Sequence, residues 1–131
     1  MIVQSIDHIV ITTRNLDKCL AFYTGALGMT LERFGEGRIA LRFGDQKINV
    51  HPPGFEAGIK ARHPTPGSLD LCFLAACPLE DVIERLRAHG VPLELEPSIR
   101  TGARFPIRSV YVRDPDDNLV EISVQIGRAH V

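Results

Sequence analysis

The first part of the chain alternates between two hydrophobic periods, one typical of a strand and one typical of a helix. Residues 2–12 (IVQSIDHIVIT) are rich in β-branched side chains and predict a strand. Steps of four and three residues then separate a set of apolar side chains that share one helix face: Leu16, Leu20, Tyr23 and Leu27. Asn15 is suited to cap the start of this helix, and Gly28 stands where a left-handed residue commonly ends one.

Three β-like runs follow, and then the pattern breaks. The runs lie near 29–34, at 38–43 and at 47–51, and Gly44-Asp45-Gln46 is the expected turn of a hairpin between the last two. Residues 52–67 contain four of the nine prolines and show no apolar period. We therefore interpret this segment as a linker or a surface loop.

The second half repeats this order. A strand is predicted at 68–75 and a helix at 78–89, with Pro78 at its first position and Gly90 closing it. The apolar stripe of this helix is Leu79, Val82, Ile83 and Leu86. The remaining strand candidates are 91–95, 107–113 and 118–124, with residues 114–117 as a turn.

Both halves thus have the order strand, helix, strand, strand, strand, and this internal repeat predicts the fold class. We expect an α+β protein of two tandem β-α-β-β-β modules, whose curved mixed sheets enclose a cleft. The predicted organisation is one domain over 1–131, with modules at 1–51 and 68–126, the linker between them and a tail at 127–131.

Composition narrows the function and the compartment. Fifteen Lys and Arg residues against 16 Asp and Glu give a net charge near zero, which argues against nucleic-acid or membrane-surface binding. The start of the chain lacks the pattern of a signal peptide, and no apolar run is long enough to span a membrane. Three cysteines without a Cys-x-x-Cys pair indicate a reducing cytoplasm.

Polar residues interrupt four strands that the repeat makes equivalent. His8 and Glu121 lie on the first and last strands, Asp70 sits where the repeat places His8, and Asn49 and His51 share a face of the hairpin. Each alone has a plainer interpretation: a core histidine bonded to backbone, or a carboxylate facing water. A carboxylate buried without a partner is unfavourable, and a polar residue of this kind at a matched depth on each of the four strands favours a metal-binding cleft.

Three segments together resemble the vicinal oxygen chelate superfamily, which includes glyoxalase I, fosfomycin-resistance enzymes, extradiol dioxygenases and bleomycin-binding proteins. They are IDHIVITTRNLDKCLAFYTGALGM (6–29), FGDQKINVH (43–51) and SVYVRDPDDNLVEIS (109–123). The likeness is greatest to small glyoxalase-domain-containing proteins, some of them labelled virulence proteins. It implies paired β-α-β-β-β modules, a metal bound by the first and last strands of each module, and a homodimer.

Residue by residue, His8 matches the family's first-strand histidine and Glu121 its last-strand glutamate. Asn49 stands where glyoxalase I has a glutamate, with His51 two residues on, and Asp70 stands where a histidine is common. Ser109 and Tyr111, with Arg113 on the same face, resemble the strand of fosfomycin-resistance enzymes whose serine and tyrosine help hold a phosphonate. Arginines that could attract an anionic substrate lie at 100, 104, 108 and 113.

The leading hypothesis is a metal-dependent lyase or isomerase of the glyoxalase type, acting on a small oxygenated metabolite through an enediolate or oxyanion. The candidate ligands of a divalent metal (Mn, Mg, Fe, Zn or Ni) are His8, His51, Asp70 and Glu121, and Glu121 is also the candidate proton carrier. Asn49, Ser109, Tyr111 and Arg113 are the candidate substrate contacts. The alternatives are a metal-free module that sequesters an antibiotic or metabolite, and a ring-cleaving dioxygenase, which Asp70 disfavours.

Overall fold

A four-stranded mixed sheet forms the first unit of the chain, and its strand order is β1-β4-β3-β2. The computed structural model describes residues 1–56 and 58–126, which divide into two compact units between Ser68 and Leu69. The strands of the first unit are β1 (His8–Thr12), β2 (Thr30–Phe34), β3 (Arg38–Phe43) and β4 (Gln46–His51). Helix α1 (Leu16–Ala21) continues directly into a π-helical segment, Phe22–Ala26.

The second unit has the same architecture, with the strand order β5-β8-β7-β6. Its strands are β5 (Asp70–Leu74), β6 (Ser98–Thr101), β7 (Pro106–Arg113) and β8 (Leu119–Gln125), and its helix is α2 (Leu79–Ala88). In each sheet the first and last strands of the unit run parallel, whereas the other pairs are antiparallel. The α+β class with two β-α-β-β-β modules is therefore confirmed.

Strand alternation gives each sheet an apolar face and a polar face. On the apolar face of the first sheet the buried side chains are Ile11, Ile39, Leu41, Ile48 and Val50. The helical segment adds Cys19, Phe22, Tyr23 and Ala26 to this core. The apolar stripe expected for α2 is likewise largely buried through Leu79, Val82 and Leu86. The polar side chains of the first sheet therefore lie on its opposite face.

The helix boundaries follow the expected capping residues. Asn15 Oδ1 accepts a hydrogen bond from the Lys18 amide at 3.1 Å, so Asn15 is the N-cap of α1. Gly28 has φ +74° and Gly90 has φ +70°, the left-handed conformation predicted for both helix ends.

Two strand predictions were wrong. Residues 2–7 are not part of a strand, because the parallel partner of β1 is paired only from Lys47 to His51 and leaves them nothing to pair with. Residues 91–95 are also not a strand: Pro92 has no N–H for a ladder, and the segment makes a single such contact, from the Glu94 amide to the Tyr111 carbonyl. The fourth strand of this sheet is instead β6.

Within the described ranges, no helix is long and apolar enough to cross a membrane. The predicted tail at 127–131 lies outside the described residues. The module boundaries and the cleft stay predictions.

Candidate functional site

The polar face of the first sheet carries three of the predicted site residues. Parallel pairing sets His8 opposite Lys47, Val10 opposite Asn49, and Thr12 opposite His51. Because directly paired residues point to the same side of a sheet, His8, Asn49 and His51 share this face. They lie on two neighbouring strands, and their paired positions follow one another at intervals of two residues.

His8 is oriented by the residue before it. Its Nδ1 lies 2.9 Å from Asp7 Oδ2, and the imidazole is 42% exposed rather than buried in the core. The hydrogen bond from His8, followed by its charge, lowers the pKa of Asp7. Histidines that bind metals commonly donate one ring N–H to a carboxylate and present the other nitrogen. The pair thus leaves Nε2 of His8 as the nitrogen suited to a ligand.

Asn49 is the one buried polar side chain with an unsatisfied atom among the described residues. It is 5% exposed, and its Oδ1 accepts no hydrogen bond. A buried acceptor without a partner costs about 1–3 kcal/mol. The site therefore offers a strong acceptor for a donor or a cation that the protein itself does not supply.

His51 ends the same strand and is 8% exposed. Its ring stacks on Phe55, with the centroids 4.4 Å apart. Burial, and then the nearby charges of Arg38 and Lys60, lower the pKa of His51. The imidazole is thus held in the neutral form, which is also the form that binds a metal.

The second sheet places a carboxylate in a network of hydroxyl groups. Ser109 donates a hydrogen bond of 2.6 Å to Glu121 Oε2, and Ser123 lies 3.4 Å from the same oxygen. The two serine hydroxyls are 2.7 Å apart, and neither residue is exposed to solvent. Hydrogen bonds to a charged oxygen are the strong ones, so this network fixes the position of Glu121.

Sequence reasoning missed Ser123 and Cys72. Cys72 is paired directly with Glu121 across β5 and β8, and its Sγ lies 3.4 Å from the Ser123 hydroxyl. Partial desolvation and the nearby charge of Glu121 raise the pKa of the Cys72 thiol although the residue is exposed, so the group is a neutral neighbour rather than a thiolate. Strand alternation alone puts Ser123 on the face of Glu121, but only the strand register shows that it meets Ser109.

The two sheets share one register. Asp70 is opposite Leu119, two residues before Glu121, just as His8 is opposite Lys47, two residues before Asn49. By this register Asp70 is equivalent to His8, and Asn49 is equivalent to Glu121. His51, two residues after Asn49, then corresponds to Ser123, two residues after Glu121.

Tyr111 and Arg113 lie beside the carboxylate but differ in how they are used. Tyr111 is opposite Glu121; burial first and the charge of Glu121 second raise its pKa. Arg113 bonds Glu94 at 3.3 Å instead.

The other three predicted arginines also have partners within the protein. Arg108 forms an ion pair with Glu80. The guanidinium group of Arg100 lies over the ring of Tyr111, and that of Arg104 lies over the ring of Phe105.

The structure thus gathers His8, Asn49 and His51 on one sheet, and Asp70, Ser109, Tyr111 and Glu121 on the other. Across residues 1–56 and 58–126, no three His, Cys, Asp or Glu side chains form a ready metal-binding group. Taken singly, these residues are donors of the kind that divalent cations bind, because His8 is oriented by a carboxylate, Glu121 by hydroxyls, and Asn49 has an unused oxygen. The ligand and substrate assignments stay predictions.

Comparison with known families gives a match over most of the chain. The model of the Glyoxalase/Bleomycin resistance protein/Dioxygenase superfamily matches residues 5–122. The match includes every predicted site residue.

Individual relatives agree with this match. The chain is 51% identical over 121 residues to a glyoxalase domain-containing protein of Mycosarcoma maydis, covering 92% of this chain and 68% of the relative. It is 45% identical over 123 residues to a virulence protein of Salmonella typhimurium, covering 94% and 85%. The crystal structure of that virulence protein superposes with a TM-score of 0.92, covering 96% of this chain and all of the other. Lactoylglutathione lyase from Agrobacterium tumefaciens has the same fold at 24% identity and a TM-score of 0.70, covering 93% and 94%.

Proposed function

Because the chain belongs to the Glyoxalase/Bleomycin resistance protein/Dioxygenase superfamily, we propose that it is a metal-dependent lyase or isomerase of the glyoxalase type. Its substrate is a small metabolite with two neighbouring oxygens. The observation that carries the proposal is the shared register of the two sheets, which sets His8 and Asn49 on one sheet in the positions of Asp70 and Glu121 on the other. All four side chains are potential oxygen or nitrogen donors at equivalent places.

The proposed metal ligands are His8 and Glu121, with His51 and Asp70 completing the set. A divalent cation bound there supplies Lewis acidity toward the oxygens of the substrate. His8 suits this role because Asp7 holds its other ring nitrogen. His51 suits it because burial keeps the imidazole neutral.

Glu121 is the proposed proton carrier, in the state in which its carboxylate does not bind the metal. A carboxylate beside the substrate removes a proton from a carbon next to a carbonyl and returns it to the neighbouring atom. Ser109 and Ser123 are positioning residues in this scheme, because their hydroxyls fix Oε2 and neither can reach solvent. Cys72 is not assigned as a nucleophile, since partial desolvation and the charge of Glu121 raise the pKa of its thiol.

The proposed substrate contacts are Asn49, Ser109, Tyr111 and Arg113. Asn49 provides the unpaired buried acceptor, and Tyr111 lies directly across from Glu121. Ser109 already bonds Glu121, so it affects the substrate chiefly through that carboxylate. Arg113 would have to exchange its ion pair with Glu94 for one with the substrate.

Metal analysis of protein purified without chelators tests the proposal. We expect close to one divalent metal per chain, and loss of most of it in His8→Ala. His63→Ala is the matched control, because this exposed histidine lies in the linker outside both sheets. Metal-free wild-type protein that also fails to take up added Mn²⁺, Zn²⁺ or Ni²⁺ would overturn the proposal and favour the sequestering module instead.

We also propose that the protein is a homodimer. Several strand residues expose apolar side chains, among them Val10, Leu74 and Ile99. Apolar strand surface is commonly covered by another chain. Light scattering across a tenfold dilution should show a species of twice the 14.5 kDa chain mass; a monomer at every concentration would contradict this.

A further inference from the structure

Two cations on the polar face of the first sheet share one aromatic ring. The Lys47 ammonium lies 4.1 Å from the centroid of the Phe34 ring, and the Arg38 guanidinium carbon lies 4.8 Å from it. Within the described ranges neither cation forms an ion pair with a carboxylate. Arg42, which follows on the same face, is by contrast neutralised by Glu32.

Asn49 lies between these two cations. Lys47 and Asn49 follow each other on one face of β4, and Ala40, two residues from Arg38, is opposite Asn49. Ala40 is fully buried and Asn49 is 5% exposed, so the protein itself already covers this pair. The buried Oδ1 of Asn49 is unpaired at this point.

Isolated surface cations are usually just solvated. Two observations distinguish this pair. Contact with the ring of Phe34 restricts where both cationic groups can lie, which lowers the entropy lost on binding an anion. The adjacent amide of Asn49 is nine-tenths buried and lacks a partner, so it gains a hydrogen bond only from a ligand.

We propose that this face is a subsite for substrates that carry a hydroxyl group next to an oxyanion, either a carboxylate or a phosphoryl group. Lys47 and Arg38 bind the oxyanion, and the hydroxyl group donates to Asn49 Oδ1. The inference rests on the proposed function and adds the substrate class: a small hydroxy acid or its phosphonate counterpart. The site lies entirely within the first unit.

Pairs of probes that differ only in the hydroxyl group test this class. Glycolate with acetate, and hydroxymethylphosphonate with methylphosphonate, are titrated into chelator-treated protein at constant ionic strength, followed by amide NMR shifts of β3 and β4. We expect each hydroxylated probe to bind about fivefold more tightly, as for one hydrogen bond of about 1 kcal/mol. The pair that binds more tightly identifies the oxyanion as carboxylate or phosphoryl.

Variants then locate the site. Lys47→Gln and Arg38→Gln should each weaken both hydroxylated probes about threefold to tenfold, and Asn49→Ala should abolish the preference for the hydroxyl group. Arg33→Gln is the matched control, because Arg33 is an exposed cation on the opposite face of the same sheet and should leave binding within twofold.

The outcomes separate this inference from the proposed function. Binding of no probe, binding without a hydroxyl preference, or equal binding by wild type and both glutamine variants would overturn the subsite, whatever the metal content. Probe binding that depends on Lys47 and Arg38 in a protein that takes up no metal would support the subsite and reject the metal-dependent enzyme.

Discussion

The two sheets have the same strand order and register but opposite chemistry on their polar faces. His8 and Asn49 on the first sheet correspond to Asp70 and Glu121 on the second. The first face therefore presents neutral donors beside Lys47, where the second presents two carboxylates. The partner atoms differ as well, since Oδ1 of Asn49 is unpaired and Oε2 of Glu121 is bound by two hydroxyls.

This difference shows which positions the fold constrains. The apolar faces of both sheets must be buried, so their alternation is retained in both units. The polar faces have no such requirement, so the same backbone positions can hold an amide in one unit and a carboxylate in the other. We infer that catalysis and metal charge balance fall mainly to the second sheet, and anion recognition to the first.

The largest effect is expected for Glu121→Gln, which makes the second sheet resemble the first at the equivalent position. It keeps the shape but removes the charge that balances a cation, so metal affinity should fall about tenfold or more. Calorimetric titration of metal into apo-protein measures this. Glu80→Gln on α2 is the matched control, and equal affinities in the wild type and Glu121→Gln would remove Glu121 from the ligand set.

Asp70→His makes the second sheet match the first at its other equivalent position, since His8 stands there. Replacing a hard carboxylate by an imidazole should shift preference from Mn²⁺ toward Zn²⁺ or Ni²⁺, by about fivefold or more in relative affinity. Competition titrations of Mn²⁺ against Zn²⁺ on both proteins test it. An unchanged preference would place Asp70 outside the ligand set and leave the third position to His51.

Ser109→Ala tests how much the serine hydroxyls contribute to the Glu121 carboxylate, which is hydrogen-bonded where the equivalent Asn49 amide oxygen is not. Loss of the 2.6 Å hydrogen bond to Glu121 should lower the free energy of unfolding by about 1 kcal/mol and weaken metal binding by about threefold. Urea denaturation and metal titration measure the two effects. Ser98→Ala, directly opposite on β6, should change neither by as much.

The smallest expected effect is a dependence of stability on pH that comes from His51 on the first sheet. The equivalent residue on the second sheet is Ser123, which does not titrate. The pKa of His51 is lowered from 6.5, chiefly by burial, so the unfolded chain takes up a proton that the folded chain resists. Stability should therefore decrease as pH falls below 6.5, with a slope of at most about 1.4 kcal/mol per pH unit for one proton.

Urea denaturation at pH 7.5 and pH 5.5 should show this loss in the wild type and a smaller one in His51→Asn. The interval stays above the range in which the carboxylates of Asp7 and Glu32 titrate. His63→Asn is the control. A loss in His51→Asn as large as in the wild type would show that His51 titrates normally.

Sequence alone predicted most of the fold, because alternation and helix-end residues act locally. The run 38–43 coincides with β3, and Asn15 caps α1 as expected. β6 was missed because it is a four-residue strand without apolar alternation, and its pairing with β7 supplies what its own sequence lacks. The π-helical turns at Phe22–Ala26 likewise interrupt a pattern that predicts one continuous helix.

The candidate site also has a part that the sequence predicts and a part that only the structure shows. The internal repeat was enough to single out His8, Asp70 and Glu121, because it compares positions rather than contacts. The serine network at Glu121, the Asp7 contact of His8 and the two cations on Phe34 depend on register and side-chain rotamers across strands. No local pattern encodes those distances.

The parallel pairing of first and last strands has a further consequence, for how the molecule forms during synthesis. His8 pairs with Lys47 and Asp70 with Leu119, so each closing contact spans roughly 40–50 residues, and its loop-closure entropy must be overcome late. A ribosome that has produced a unit without its last strand therefore holds a sheet whose first strand has no neighbour. Each unit becomes cooperative only when that strand emerges, so a translational pause just before β4 or β8 would prolong the interval in which an unpaired strand is exposed to aggregation.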